Sequence, residues 1–421
     1  GGKGANLGEM IRSGFPVPGG FVVTADAYLA SIDQAGVRGQ LTDLERRAAN
    51  ADPTELESLA EGARAILAAI DVPEPIAREI RSAYEEMGEG FVAVRSSATA
   101  EDTADTSFAG MNETFTNVKG IEAVIEKVKD CWASLFGTRV VAYRAEQGLT
   151  DEPAIAVVVQ AMISSDRSGV MFTVDPSARD QLVIEGAFGL GEVVVSGRVE
   201  PDTYHTDRSS LAVRDIRIGH KDVRINSGVD GDELEELTGE AAWARVLSDN
   251  EIAAVAEIGM EIEKHYEAPQ DIEWAFVDDE LYIVQSRPIT TLGPADSDIS
   301  SLGADTSDEP VLHGLGVGSR GATGVVRILT SPKEGNKLGA GEVLVARMTS
   351  PDWVPIMRRA AGLITDAGGS TCHAAIVSRE LGVPAVVGTR TATSELRDGD
   401  LVTIEPSSGQ VFRGTHTSMV P

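Results

Sequence analysis

Between Leu292 and Pro310 the chain runs through Gly, Pro, Ser and Asp with few apolar residues. A stretch of that kind cannot be packed into a core and reads as a tether. It divides the 421 residues into a larger segment before it and a smaller, glycine-rich one after it. Length argues the same way, because single hydrophobic cores stop growing at roughly 250–300 residues. With 42% hydrophobic and 24% charged residues, each part has material for a core of its own. The expected organisation is a domain over residues 1–292, a linker over 293–310, a second domain over 311–414 and a tail over 415–421, in a mixed α+β and α/β architecture.

Periodicity fills in the elements. The first residues read as a glycine loop, a helix over Ala5–Ser13 and a strand over Gly20–Thr24. Residues 40–88 are helical, Phe91–Arg95 is a strand, and Ile121–Gln147 is one long helix. Ala154–Ile163 and Gly169–Asp175 read as a hairpin of central strands, followed by a strand at Leu182–Glu185. Asn250–Tyr266 is a helix, and Asp271–Val277 with Glu280–Gln285 forms a hairpin around Asp278-Asp279. In the second domain the expected strands are Gly324–Ile328, Glu342–Ala346, Gly362–Thr365, Ala385–Val387 and Leu401–Glu405. The expected helices there are Pro351–Arg359 and His373–Leu381. No internal repeat is present.

Charge and cysteine content exclude several classes. The formal net charge is -30, and no Lys/Arg-rich run marks a nucleic-acid binder. An acidic surface also repels anionic membranes. The longest strongly apolar run, Ala154–Ile163, is far short of the ~20 residues a membrane helix needs. Two cysteines, Cys131 and Cys372, are too few for a disulfide framework. A reducing, cytoplasmic setting is expected, with no nucleic-acid or membrane partner. The chain opens at Gly1 inside a glycine-rich stretch, so the true N-terminus is expected to lie upstream.

The segment Gly368-Gly-Ser-Thr-Cys-His373-Ala-Ala-Ile-Val-Ser-Arg-Glu-Leu-Gly382 carries the chemistry. Two glycines permit a tight turn after the strand Gly362–Thr365, and Ser370 or Thr371 is positioned to cap a helix starting near His373. Gly382 and Pro384 end it. His373 then lies at a helix N-terminus, where unpaired N–H groups and the dipole favour an anion. A neutral imidazole is a competent nucleophile near pH 7, and a phosphoryl group on it would find donors waiting. His205, His220, His265, His313 and His416 lack such a setting and read as surface residues. No His/Cys pair has metal-ligand spacing.

Four further segments supply what a phosphoryl donor needs: cations, a metal and a pocket for the base. Gly1-Gly-Lys3-Gly-Ala-Asn-Leu-Gly8 holds one lysine in a glycine loop without Walker A order. Val92-Ala-Val-Arg95 delivers an arginine into a Ser/Thr-rich loop that runs on to Gly110, where backbone approach to phosphate is feasible. Val158-Val-Gln160-Ala-Met162-Ile163 fits a strand against which a base lies, and Glu185 ends the next apolar strand. Alternation puts Asp271 and Glu273 on one strand face and Gln285 and Arg287 on one face of the partner strand. Carboxylate and amide oxygens there suit Mg²⁺, and Arg287 suits a phosphate.

Together these segments resemble the phosphoenolpyruvate synthase and pyruvate phosphate dikinase family over about residues 1–414. The specific stretches are GGSTCHAAIVSRELGVPAVVG, VAVRSSATAEDTADTSFAG and DIEWAF with LYIVQSRP. The resemblance implies an ATP-grasp nucleotide-binding domain over 1–292 and a swivelling β/β/α phosphohistidine domain, the mobile domain of PEP-utilising enzymes, over 311–414. It implies that Lys3, Arg95 and Arg287 bind phosphates, that Asp271, Glu273 and Gln285 hold the metal-bound nucleotide, and that His373 is phosphorylated. Thr371 matches a position that is regulatory in some dikinases. The implied cofactors are Mg²⁺ and ATP, and the implied reaction passes phosphate from ATP through His373 to pyruvate or another acceptor.

The family's C-terminal pyruvate-binding barrel has no counterpart before Pro421. The acceptor is therefore left open: pyruvate, bound by a barrel elsewhere or by a separate acceptor protein; a different small molecule such as an antibiotic, as in rifampin phosphotransferase; or another protein, if the chain is a phosphocarrier.

Overall fold

The computed structural model describes residues 1–48, 51–98, 113–146, 151–176, 178–228, 231–289, 309–318, 320–369 and 371–415. Gly110, Ser370, His416, most of the 293–310 tether and all of the tail beyond Thr415 lie outside them. The chain divides into two compact bodies. One comprises Gly1–Ser164, Ser227–Glu233 and Tyr282–Arg287, the other Ser165–Asn226, Leu234–Leu281 and Pro288–Pro421.

The first body is built on an antiparallel sheet in the order Gly20–Val23, Ile155–Ala161, Val92–Ala98, Thr114–Val118. Ala93 stands opposite Gln160 and Val94 opposite Val159. The period-2 alternation therefore sends Val92, Val94, Val157 and Val159 into the core and Arg95 and Gln160 to the other face. The core packs helices Ala25–Gln34, Pro53–Ala69 and Ile121–Ser134 against the valines. Its centre holds an edge-on Tyr28–Trp132 pair, with ring centroids 5.9 Å apart.

Several expectations change here. The opening glycines are helical from Gly2 to Arg12, which places Lys3 in a first turn and not in a loop. Residues 40–88 form three helices, Arg38–Ala48, Pro53–Ala69 and Glu74–Glu86. The long helix breaks into Ile121–Ser134 and Thr138–Glu146 beside Gly137. The expected hairpin of 154–163 with 169–175 does not form. Ile155–Ala161 belongs to the first body's sheet and Arg167–Phe172 to a sheet of the second. An apolar run shows that a strand is buried, not which strand it pairs with.

The second body contains an antiparallel run in the order Gln270–Val277, Arg167–Phe172, Gln181–Phe188, Asp202–Asp207, Val213–Arg217. One face is apolar: Ile272, Met171, Ile184 and Tyr204 lie in register. The helix Asp249–Tyr266, begun by a Ser248/Glu251 capping box, covers it. Trp274 lies on this face over two glycines, where a side chain at Gly169 would bring its Cβ within 2.6 Å of the indole. The polar strands Asp202–Asp207 and Val213–Arg217, unassigned from the sequence, complete this run.

Residues 312–413 of the same body form an eight-stranded sheet. Its order is Leu312–His313, Gln410–Arg413, Leu401–Glu405, Ala322–Ile328, Val343–Ala346, Gly362–Thr365, Ala385–Val387, Leu315–Val317. The first and last strands are separated in sequence by Gly314 alone, so the sheet curls until its edges nearly meet. Ala322–Ile328, Val343–Ala346, Gly362–Thr365 and Ala385–Val387 run parallel. Val343 and Val345 enter one apolar cluster while Leu344 and Ala346 enter another, which explains an unbroken apolar strand. The predicted helix Pro351–Arg359 is a 3₁₀ turn, Pro351–Trp353, followed by a short α-helix, Val354–Met357.

Candidate active site

His373 opens the helix His373–Leu381, and Gly382 closes it in the left-handed conformation, as the sequence predicts. The N-cap residue is Cys372, which makes no side-chain capping bond. The expected Thr371 cap is absent because that hydroxyl is engaged elsewhere. Thr371 donates its backbone N–H (3.2 Å) and its Oγ1–H to Glu185. Gly369 packs directly against that carboxylate, and the absence of a side chain there allows the approach in this pose. A Cβ there would collide with Glu185.

The half-buried imidazole is steadied by Thr349: its Nδ1 lies 3.0 Å from Thr349 Oγ1. Thr349, itself buried, follows the strand Val343–Ala346, and the His373 loop follows Gly362–Thr365. Both therefore sit at the carboxyl ends of adjacent parallel strands, the end at which sheets of this kind place their ligands. Burial pushes the neighbouring Cys372 thiol up to about 11. It is a protonated packing residue at neutral pH, not a competing nucleophile.

The sheet below Thr371 presents a polar face. Glu273 pairs with Val170, Val170 with Glu185, Glu185 with Thr203, and Thr203 with Arg217. These five side chains form one row, with Glu273 and Glu185 two strand spacings, about 10 Å, apart. Asp271 lies on the same face in the next row, in register through Phe172 and Val183 with His205. His205 is not the surface residue the sequence suggested. It is half-buried and 3.3 Å from the Asp175 carboxylate, a hydrogen bond that raises its pKa.

The cations gather in the first body. Arg95, 7% exposed, donates Nη1–H to Gln160 Oε1 (3.1 Å) and to the Val284 carbonyl (3.1 Å). Its Nη2–H goes to Gln285 Oε1 (2.7 Å). Lys3, 6% exposed, donates to the carbonyl of the next residue, Ser96, at 2.8 Å. Lys3, Arg95, Gln160 and Gln285 are thus one constellation, with Gln285 paired to a cation. Met162 and Ile163, both half-buried, follow Gln160 along the chain, and Met162 N–H bonds the Phe91 carbonyl at 2.9 Å. Arg287 shares a strand and a side with Gln285.

The structure thus places Lys3, Arg95, Gln160, Met162, Ile163, Gln285 and Arg287 in the first body. Glu185, Asp271, Glu273, Thr371 and His373 belong to the second. Sequence reasoning missed Thr349. A lone threonine 24 residues before the histidine carries no local signal, and only the pairing of parallel strands brings it near.

Known proteins resemble this chain in both parts. The family described as “Pyruvate phosphate dikinase, AMP/ATP-binding domain” matches residues 1–305, and “PEP-utilising enzyme, mobile domain” matches residues 338–409. A probable phosphoenolpyruvate synthase of Archaeoglobus fulgidus is 48% identical over 423 residues, covering 98% of this chain and 56% of that protein. A probable phosphoenolpyruvate synthase of Methanothermobacter thermautotrophicus is 44% identical, covering 99% of this chain and 61% of its own length. The phosphoenolpyruvate synthase of Pyrococcus furiosus is 40% identical, covering 100% and 57%. The chain therefore spans little more than half the length of these curated relatives.

Proposed function

Because this chain belongs to the pyruvate phosphate dikinase AMP/ATP-binding family and carries the mobile domain of PEP-utilising enzymes, we propose that it phosphorylates His373 from Mg-ATP and passes the group to pyruvate. This is the reaction direction implied by the name phosphoenolpyruvate synthase. The observation that carries the proposal is a histidine at a helix N-terminus with one ring nitrogen held by Thr349. Residues 1–292 would serve as an ATP-grasp nucleotide domain and 311–414 as the phosphohistidine carrier.

Each residue has a physical task in this reading. Lys3 and Arg95 are buried cations in the first body, where a phosphate charge is felt more strongly than in water. Gln160, Gln285 and the Val284 carbonyl fix the Arg95 fork, so its donors need little reorganisation when a phosphate arrives. Arg287 would add a third cation, with the base against Gln160, Met162 and Ile163. Asp271 and Glu273, two half-buried carboxylates on one strand face, fit Mg²⁺, which is held by one or two carboxylates together with substrate phosphates and water. Among the described residues no group of three or more His, Cys, Asp or Glu side chains stands ready to hold a metal unaided. When bound, Mg²⁺ would neutralise charge on the transferring phosphate. Thr349 would keep Nδ1 occupied, so that Nε2 is the attacking nitrogen. Glu185 would hold the histidine loop through Thr371.

ATP labelled separately at the β and γ positions tests this reading. Acid-labile label is expected on the protein, and transfer to pyruvate is expected on adding it. A wild-type protein that gains no acid-labile phosphate would remove the proposal. Thr349→Val should slow phosphorylation by about tenfold to a hundredfold by freeing the ring, with ATP affinity unchanged. An unchanged rate would show that the ring is oriented by something else. Glu273→Ala should weaken nucleotide binding with Mg²⁺ present and leave it unaltered with EDTA, as read by calorimetry. Equal affinities with Mg²⁺ would take Glu273 out of the metal set.

Cytoplasmic placement goes with this function. Both cysteines are buried free thiols, which suits a reducing compartment, and among the described residues no helix is long and apolar enough to cross a membrane.

A further inference from the structure

Glu200, 8% exposed, lies just before the strand Asp202–Asp207 and is held by two arginines, Arg217 and, 190 residues away in sequence, Arg390. Arg390 donates Nε–H to Oε2 (2.9 Å) and Nη2–H to Oε1 (3.1 Å), the paired geometry that makes arginine–carboxylate contacts both strong and directional. Arg217 donates to Oε1 at 2.8 Å, and the same nitrogen reaches the Gly388 carbonyl at 3.4 Å. The Arg390 guanidinium also lies 5.2 Å over the ring of Trp243, which is 46% exposed.

Arg390 follows the strand Ala385–Val387, the parallel neighbour of Gly362–Thr365 from which the His373 loop springs. Its backbone is held at φ 70, a left-handed conformation that a residue with a side chain seldom adopts. Bonds from Arg390 N–H to the Asp366 carbonyl (2.8 Å) and from Thr389 N–H to the Thr365 carbonyl (3.0 Å) fix it there. Held strain of this kind gathers where a side chain must be aimed. The histidine-bearing sheet therefore touches the acidic sheet through Thr371 on Glu185, beside the nucleophile, and, at a second point, through Arg390 on Glu200. Charged groups and one half-exposed ring form the second point, a composition suited to a contact that opens and closes.

Resting on the function proposed above, we propose that Glu200 and Arg390 are positioning residues: their clamp sets the pose in which His373 accepts the phosphoryl group, and it releases for delivery. Neither residue touches the reacting atoms. Both act by seating the loop that carries the histidine.

The test uses the full chain and compares Glu200→Gln, Arg390→Ala, Arg390→Lys and the double variant Glu200→Gln/Arg390→Ala. At saturating Mg-ATP, Glu200→Gln and Arg390→Ala should lower the single-turnover rate of histidine phosphorylation about tenfold. ATP affinity should stay within about twofold, because the nucleotide residues are untouched. The double variant should be no slower than the slower single variant, since either change opens the same clamp. Arg390→Lys should recover part of the rate, keeping charge but losing the fork. The wild-type rate should fall with added salt, and that of Arg390→Ala should be nearly flat. The clamp is overturned if Arg390→Ala and Glu200→Gln, melting like the wild type, phosphorylate at the wild-type rate. It is equally overturned if rate and ATP affinity fall together, or if the two changes multiply. A wild type that takes no phosphate on His373 would instead remove the underlying functional reading.

Discussion

Substituting His373 by alanine is expected to reduce acid-labile phosphate on the protein to background, a loss of at least about a thousandfold in rate. The groups beside it are poor substitutes. The Cys372 thiol, pushed up to about 11 by burial, is protonated at neutral pH. Thr371 is tied to Glu185, and the Thr349 hydroxyl loses the ring to which it is bonded. Stability should change little, because the imidazole is half-buried and the hydrogen bond to Thr349 that its deletion forfeits is worth about 1 kcal/mol. The measurement is label incorporation from ATP together with a thermal melt. Label retained by a well-folded His373→Ala protein would place the nucleophile elsewhere.

The largest loss of stability is expected from a residue with no part in the chemistry. Lys221 and Asp202 are both fully buried and paired to each other, and Lys221 also donates to the Gly219 carbonyl at 2.8 Å. The Asp202 carboxylate further accepts from Val246 N–H (2.7 Å), Gly219 N–H (3.0 Å) and the Tyr204 hydroxyl (2.9 Å). It thereby ties a sheet strand to the loop before the helix Asp249–Tyr266. Lys221→Ala strands a carboxylate away from water, and breaking a buried pair from one side costs about 3–5 kcal/mol. Lys221→Met with Asp202→Asn removes both charges and should lose much less. Urea unfolding measures both. A Lys221→Ala loss below about 1 kcal/mol would show that the three remaining donors suffice for the carboxylate.

The sequence spoke most clearly where the signal is local. The helix His373–Leu381 and the strands Gly362–Thr365, Ala385–Val387 and Leu401–Glu405 lie where punctuation and apolar runs predict them. A glycine turn, a C-capping glycine and a following proline leave little choice there. Burial of the alternate residues of Gln270–Val277 likewise follows from a pattern written within the strand. Partners in space were not legible. The apolar strands Ile155–Ala161 and Arg167–Phe172 look like a pair and join different sheets. Gly231–Glu236 is a strand with five exposed residues and no apolar alternation to reveal it. Thr371 looked like a cap because it precedes a helix, yet its hydroxyl bonds a glutamate 186 residues away. Thr349, Glu200, Arg217 and Arg390 gain their meaning from tertiary contacts alone, and no spacing rule could have selected them.

Thr349, His373 and Arg390 follow three consecutive parallel strands of one sheet. In the carrier role proposed above, the group that steadies the imidazole would travel with it, and so would the guanidinium of the proposed clamp. The reactive ring would then arrive already aimed at each docking site. A second docking partner would need only an acidic foothold at the same offset from its own reaction centre to read the cargo in register.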